Sequence, residues 1–262
     1  MESLSPTLFE RSIVGAQSAT LKAVSRLHLP VKSMPLIHPR CRVHTGGTAI
    51  SHLYDDVFCK EAYVSPKPLR AKPRIVDAGG HLGLASIYFL TQYDPSELVV
   101  IEANPHISPL LTLTLAPWGG TARVLGGAIS MENGTTEFHI TSDNLFNVTG
   151  GIDNRENDNR EVNTISVPTF DAREILKEPV DLMKLDVEGH EYELLHLEEF
   201  RPDHVLNLVI EFHDVHERRE EFDALIDLLV NERGYKIASS DSVALTQADL
   251  ADATGSIVLK LY

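Results

Sequence analysis

Val76-Asp77-Ala78-Gly79-Gly80-His81-Leu82-Gly83 is the stretch that decides the fold. It leaves a short apolar run, Arg74–Asp77, and opens onto Leu84, Ile87, Tyr88 and Leu90, which recur at helical spacing. A strand feeding a glycine turn that opens a helix is thereby expected, and the glycines let backbone N–H groups come close to a ligand. The same alternation repeats downstream. Leu98–Glu102 reads as an apolar strand ending in an acid, followed by Asn104-Pro105 and a helix through Leu110, Leu111 and Leu115. A third strand is expected around Ala122–Ala128, and half-exposed strands at Thr135–Thr141 and Thr164–Thr169. Val180–Asp186 and Val205–His213 read as buried strands, with a helix from Gly189 to about Leu197 between them. Phe222, Leu225, Ile226 and Leu229 give a helix stopped at Gly234, and Tyr235–Ala238 and Ser256–Leu261 give two last strands. Such alternation implies an α/β domain, a parallel sheet with helices on both faces. Its ligand belongs beyond the carboxyl ends of the strands, where the strand order switches.

Working outward, residues 1–72 read as an accessory segment and 73–262 as the main domain. Leu8, Ile13 and Val14 suit one helix and Leu21, Val24 and Leu27 another, and Pro30, Pro35 and Pro39 break any continuation. Pro66, Pro68 and Pro73 make a stiff lead-in to the first strand. Ser142–Asn163, rich in Asn, Asp and Gly, reads as a loop and a candidate lid, with Leu145 and Phe146 as its apolar pair. The 262 residues are 43% hydrophobic and 23% charged, a balance ordinary for a globular chain. No apolar run approaches the roughly 20 residues that span a bilayer, so no membrane is expected as partner. With Glu2 and Glu10 near the start and only Cys41 and Cys59 as thiols, the expectation is a reducing, cytoplasmic setting. The net charge of −15 repels polyanions, so nucleic acid is not expected as partner and a small-molecule acceptor is. The oligomeric state stays open, a homodimer included.

The residues also narrow the cofactor. A carboxylate at Glu102, ending the second strand, can accept both hydroxyls of a ribose, so an adenosine-bearing cofactor is expected across the first two strands. The glycines run Gly79, Gly80, Gly83 behind the acid Asp77, not the G-x-G-x-x-G that lets backbone approach a pyrophosphate. An acid beside the turn suits a cofactor bearing an ammonium and a sulfonium, which points to S-adenosylmethionine (SAM).

Val76–Gly83, Ile101-Glu102-Ala103-Asn104-Pro105 and Met183-Lys184-Leu185-Asp186-Val187-Glu188-Gly189-His190-Glu191 together resemble the FkbM family of SAM-dependent methyltransferases. Thr169-Phe170-Asp171 resembles that family's Thr-Leu-Asp, and Val57-Phe58 with Tyr63 its lead-in. The chain departs from the pattern at His81, where Asn is usual, and at His190, where a small residue is. The resemblance implies a Rossmann-like class I methyltransferase: a seven-stranded, mostly parallel sheet with an antiparallel last strand. It also implies O-methylation of sugars, polyketides or other secondary metabolites. The residues expected to hold SAM are Asp77, Gly79, Gly80, His81, Gly83, Glu102, Ala103, Asn104, Ala128, Ile129 and Asp186.

Methyl transfer is an in-line displacement at carbon, and a hydroxyl acceptor benefits from a base or from a metal that lowers its pKa. Candidates should sit at the ends of the two central strands. Lys184, Asp186 and Glu188 share a face if their strand stays extended, as do Glu211 and His213 on the next. The expected catalytic residues are Asp186, His213, Lys184 and Glu211, with Asp186 or His213 as base. A divalent metal on Asp186, Glu211 and His213 is an alternative. Glu191 is expected to serve its own helix N-terminus instead.

Overall fold

The computed structural model describes residues 8–27, 31–37, 39–141, 162–238 and 256–262, so the candidate lid with Leu145 and Phe146 lies almost wholly outside the described residues. Leu8–Arg26 is a single helix, α1. The two short helices suggested by the apolar spacing are one, since Gly15 between them costs a helix only about 1 kcal/mol. β1 (Ser33–Leu36) and β2 (Cys41–His44) then pair as an antiparallel hairpin, which the proline-rich spacing did not suggest. α2 (Ser51–Tyr54) runs into a π-helical turn, Asp55–Cys59.

The alternation read from the sequence follows. It comprises β3 (Arg74–Ala78), α3 (Leu84–Tyr93), β4 (Glu97–Glu102), α4 (Ser108–Leu115) and β5 (Ala122–Gly126). The expected third strand is divided, for β6 (Ala128–Ser130) leaves the central sheet. Gly127 carries that bend, its N–H on the Glu102 carbonyl at 2.9 Å and a Cβ there only 2.4 Å from the Pro168 carbonyl. β7 (Gly134–Thr141) and β8 (Val162–Asp171) pair antiparallel, and β6 joins β8 to give a small sheet in the order β6-β8-β7. The chain closes with α5 (Ala172–Ile175), β9 (Leu182–Leu185), α6 (Glu191–Leu194), β10 (Leu208–Phe212), α7 (Arg219–Asp227) and β11 (Ile257–Leu261).

The central sheet runs β11-β10-β9-β3-β4-β5, with β11 antiparallel to β10 and the other pairs parallel. This is the doubly wound class I arrangement. Six strands form it rather than seven. At the seventh position the described chain makes one bridge, Ile237 to Leu261, and Lys236 and Ala238 donate to the Tyr262 and Lys260 carbonyls at 2.8 Å.

Period-2 alternation sorts the sheet residues onto two cores. Val76, Val99, Ile101, Met183, Leu185, Ile210 and Phe212 pack with Tyr192, Phe222 and Leu225 on one face. Ile75, Leu98, Val100, Leu182 and Val209 pack on the other with Ile87 and Leu111, and there Leu21, Val43, Ile50 and Tyr54 of the N-terminal segment complete the layer. Among the described residues no helix is long and apolar enough to cross a membrane.

Candidate active site

From β3 the chain winds outward through β4 and β5, then returns to start β9 on the other side of β3. The crevice at that reversal is the place where an open sheet binds its ligand. A pocket of about 630 Å³, open mouth included, lies there. Its lining includes Gly79, His81, Glu102, Ala103, Asn104, Ala128, Ile129 and Asp186 from the expected cofactor set. Ile101, Ile107, Gly127, Phe138, Val187 and Glu188 complete it.

Asp77, Gly80 and Gly83 stand behind that lining. Asp77 has no exposed surface, accepts a bond from Ser86 Oγ at 2.5 Å and faces Lys184 Nζ at 3.4 Å, and burial pushes its carboxyl pKa up. Gly80 backs onto Val100 and Gly83 onto Leu111. The glycine turn also differs from expectation in where its donors point. Gly79 and Gly80 both donate to the Ile101 carbonyl, at 3.0 and 2.9 Å, and Gly83 donates to Gly80. His81 N donates to Glu102 Oε2 at 2.7 Å. With these groups satisfied by β4 and by the turn itself, the turn makes no cradle for a pyrophosphate. It offers a ligand a carboxylate instead.

That carboxylate is Glu102. Its Oε1 accepts Asn104 N at 2.8 Å, so both oxygens are oriented by backbone and each keeps a lone pair for a further donor. Burial pushes its pKa up to about 7, against the pull of the two N–H groups. Gly79 locks the floor of the crevice. At φ +86° a Cβ would stand 1.7 Å from the Asp186 carbonyl oxygen, so only glycine lets the ends of β3 and β9 close together.

Beyond Asp186 lies a cluster of charges. Lys184 is opposite Asp77 in the β3–β9 register and is 2% exposed. Its Nζ donates to the Gly79 carbonyl at 2.9 Å and stands 3.0 Å from Asp186 Oδ2. Burial opposes its charge, but Asp186 and Asp77 outweigh that and hold the ammonium pKa above its usual value. Lys184 thus ties the ends of β3 and β9 together. Glu211 from β10 accepts a bond from Tyr63 Oη at 3.0 Å, and the same hydroxyl stands 3.4 Å from Asp186 Oδ2. The Tyr63 ring lies 5.0 Å from the Lys184 ammonium. Burial first, and then the Asp186 charge, pushes up the pKa of both Tyr63 and Glu211.

His213, at the end of β10, is 5% exposed. Its Nδ1 meets Glu191 Oε1 at 3.1 Å, and its Nε2 stands 3.6 Å from Glu188 Oε2 and 3.8 Å from Asp186 Oδ1. Burial favours the neutral ring, but the Glu191 bond and the three carboxylate charges push its pKa up to about 9. An imidazole that keeps its proton at neutral pH is poorly set to take another from a substrate. Asp186 is the member of the expected base pair that also lines the pocket.

The metal grouping expected from the sequence is redrawn too: Glu211 turns to Tyr63, and Glu188 stands beside Asp186 and His213. β9 ends at Leu185, and Glu188 adopts φ +59°, so the strand does not stay extended to carry it. The turn is closed by Glu191, whose oxygens accept Val187 N and Gly189 N at 2.8 Å each. This shortens the expected helix to α6. Tyr63, Glu188 and Phe138 are among the site residues outside the expected set. Tyr63 was marked only by its resemblance to a lead-in, and Phe138 only by the alternation of its strand.

A family model described as the methyltransferase FkbM domain matches residues 77–237, well over half of the chain. The chain belongs to that family. It is a SAM-dependent methyltransferase. No curated protein sequence matches it. Among solved structures it is similar to M. jannaschii TYW2 in complex with AdoMet, at 13% identity and TM-score 0.44, covering 84% of this chain and 80% of that one. It is also similar to Aeropyrum pernix fibrillarin with natively bound SAM, at 14% identity and TM-score 0.42, covering 75% and 69%. A third is the precorrin-6y C5,15-methyltransferase of Geobacter metallireducens, at 9% identity and TM-score 0.40, covering 75% and 83%. Likenesses at these scores carry no argument about the acceptor, and the fold rests on the strand order itself.

Proposed function

We propose that the enzyme transfers the methyl group of SAM to a hydroxyl oxygen of a small molecule, such as a sugar, a polyketide or another secondary metabolite. The observation that carries this reading is the position of Asp186, one carboxylate shared by the cofactor pocket and the charged cluster. Glu102 takes the ribose hydroxyls, and Ala128, Ile129, Ile107 and Phe138 offer apolar walls for adenine. Gly79 and Asp186 face the cationic end, where a carboxylate favours sulfonium and ammonium. SAM supplies an electrophilic methyl carbon: the acceptor oxygen forms the new C–O bond, the C–S bond breaks with its electrons going to sulfur, and the hydroxyl proton passes to Asp186. Holding the acceptor in line contributes on the order of 7–11 kcal/mol of the barrier. Residues 1–72 act as an accessory segment that completes the site through Tyr63. The net charge of −15 favours a neutral or cationic acceptor over a nucleic acid. The free thiols Cys41 and Cys59 suit a reducing, cytoplasmic setting.

The test is a panel of hydroxyl- and amine-bearing metabolites with methyl-labelled SAM, the products resolved by mass spectrometry. Label in methyl ethers is expected. Label only in amines or at carbon overturns the reading.

A further inference from the structure

Three side chains from two strand ends converge beside the pocket. Asp186, Glu188 and His213 each present a ligand-type atom, and these atoms lie within 4.8 Å of one another. The histidine is the informative member. Its ring is 5% exposed, and Nε2 stands between two carboxylate oxygens at 3.6 and 3.8 Å, too far for hydrogen bonds. Its other nitrogen is held at 3.1 Å by Glu191, a carboxylate with no exposed surface that is itself fixed by Val187 N and Gly189 N. An imidazole oriented through Nδ1 by a buried carboxylate, with Nε2 facing further oxygens, is how proteins aim a histidine at a metal.

We infer that Asp186, Glu188 and His213 bind a divalent cation of the Mn2+ or Mg2+ kind, beside the methyl-transfer pocket. Two carboxylates and one imidazole are a hard-to-borderline ligand set, which suits these ions. Adjacent ligands around an ion at about 2.1 Å stand roughly 3 Å apart, so small side-chain rotations close the observed gaps. The charges agree. Asp186, Glu188 and Glu191 crowd the point, with Glu211 and Asp77 behind, and among the described residues Lys184, His213 and Arg218, which donates to the Gly189 carbonyl, stand against them. Asp186 can serve the ion and the acceptor proton together. Its Oδ1 faces His213, whereas its Oδ2 faces Lys184 and Tyr63. The inference rests on the hydroxyl reading for its purpose, since a cation there holds and acidifies the acceptor oxygen.

The test titrates EDTA-stripped, full-length protein with Mn2+ and counts free ion by electron paramagnetic resonance. One saturable Mn2+ per chain is expected, with nitrogen coupling from the imidazole. Glu188→Gln and His213→Gln should each weaken binding at least tenfold, and His213→Gln should abolish the coupling. Glu191→Gln, which removes the orienting carboxylate, should weaken it by about 10- to 100-fold. Glu211→Gln, which removes a charge but no ligand, should weaken binding by no more than about threefold, because that carboxylate faces Tyr63. A thermal melt of each variant reports that the domain is folded, because Glu188 itself lines the SAM pocket. No saturable binding, or binding indifferent to both Glu188→Gln and His213→Gln, overturns the site and leaves His213 as an ion-paired imidazolium. Mn2+ binding is read without an acceptor, so the two proposals fail separately. Methylation of amines alone sinks the hydroxyl reading and spares a bound ion. Hydroxyl methylation at full rate in EDTA, with no Mn2+ bound, does the reverse.

Discussion

Replacing Glu102 by Gln tests the cofactor assignment at its most exposed point. Both carboxylate oxygens already accept backbone N–H groups, from His81 at 2.7 Å and Asn104 at 2.8 Å. The substituted amide therefore has to set its NH2 against one of two donors, and it also loses the charge offered to the ribose hydroxyls. A hydrogen bond to a charged group is worth about 1.5–3 kcal/mol, so SAM affinity at pH 8 should fall by on the order of 10- to 100-fold. Calorimetry supplies the number.

The pH dependence gives an independent reading of the same group. Burial raises the Glu102 pKa from 4.5 to about 7, so below pH 7 the protein without SAM favours the protonated acid. The stability this contributes is full below pH 4.5 and is lost as pH rises through 7, on the order of 3 kcal/mol in all. SAM favours the ionised form, so wild-type affinity should drop below pH 7, by at most tenfold per unit. The Gln variant should be nearly flat over pH 6–8, and the wild-type-minus-variant difference in thermal stability should track the same range. Equal SAM affinity in the two proteins at pH 8, or a wild-type affinity that ignores pH between 8 and 6, refutes the reasoning.

Three further outcomes follow from contacts in the crevice. Tyr63→Phe deletes the donor shared by Glu211 and Asp186, so kcat should fall by about 5- to 30-fold while SAM affinity stays within twofold, read by steady-state kinetics and calorimetry. Gly79→Ala drives a Cβ into the Asp186 carbonyl at φ +86° and should abolish SAM binding and lower Tm by about 10 °C, whereas Gly120→Ala, in open space, should do neither. Lys184→Met leaves Asp77 and Asp186 facing each other without their cation and should cost about 3–5 kcal/mol in denaturant unfolding. Pairing it with Asp77→Asn should recover part of that loss.

The sheet was legible because its signals are local. Strands of the apolar runs Arg74–Ala78, Glu97–Glu102 and Leu208–Phe212 are buried on both faces, so they stand out as runs without needing any knowledge of their partners. The errors fall where a partner far along the chain decides. One apolar segment, Ala122–Ala128, became two strands because Gly127 packs on Pro168 and hands Ala128 over to β8. The hairpin Ser33–Leu36 with Cys41–His44 has its register set by pairing, with His44 N also bound to Thr114 Oγ1 at 3.0 Å, none of which proline spacing reveals.

The site divides along the same line, and the division explains which half of the chemistry could be read. Gly79, Glu102 and Asp186 are each fixed by the end of a strand, and a strand end follows from sequence once the strands are found. Whether a carboxylate at such an end acts as base, ligand or strut depends instead on what faces it. Period 2 puts Lys184, Glu211 and Asp77 on the face that the N-terminal segment covers, so Glu211 and Lys184 meet Tyr63, more than a hundred residues before them, while Asp77 meets Ser86 and Lys184. Glu188 and His213 meet for a different reason. Glu191 closes the turn after β9 with its own carboxylate, and in doing so it also takes His213 Nδ1. One buried acid therefore shapes the turn and fixes the histidine, which is why the residue read from sequence as a helix-terminus acid proves to be the pivot of the cluster.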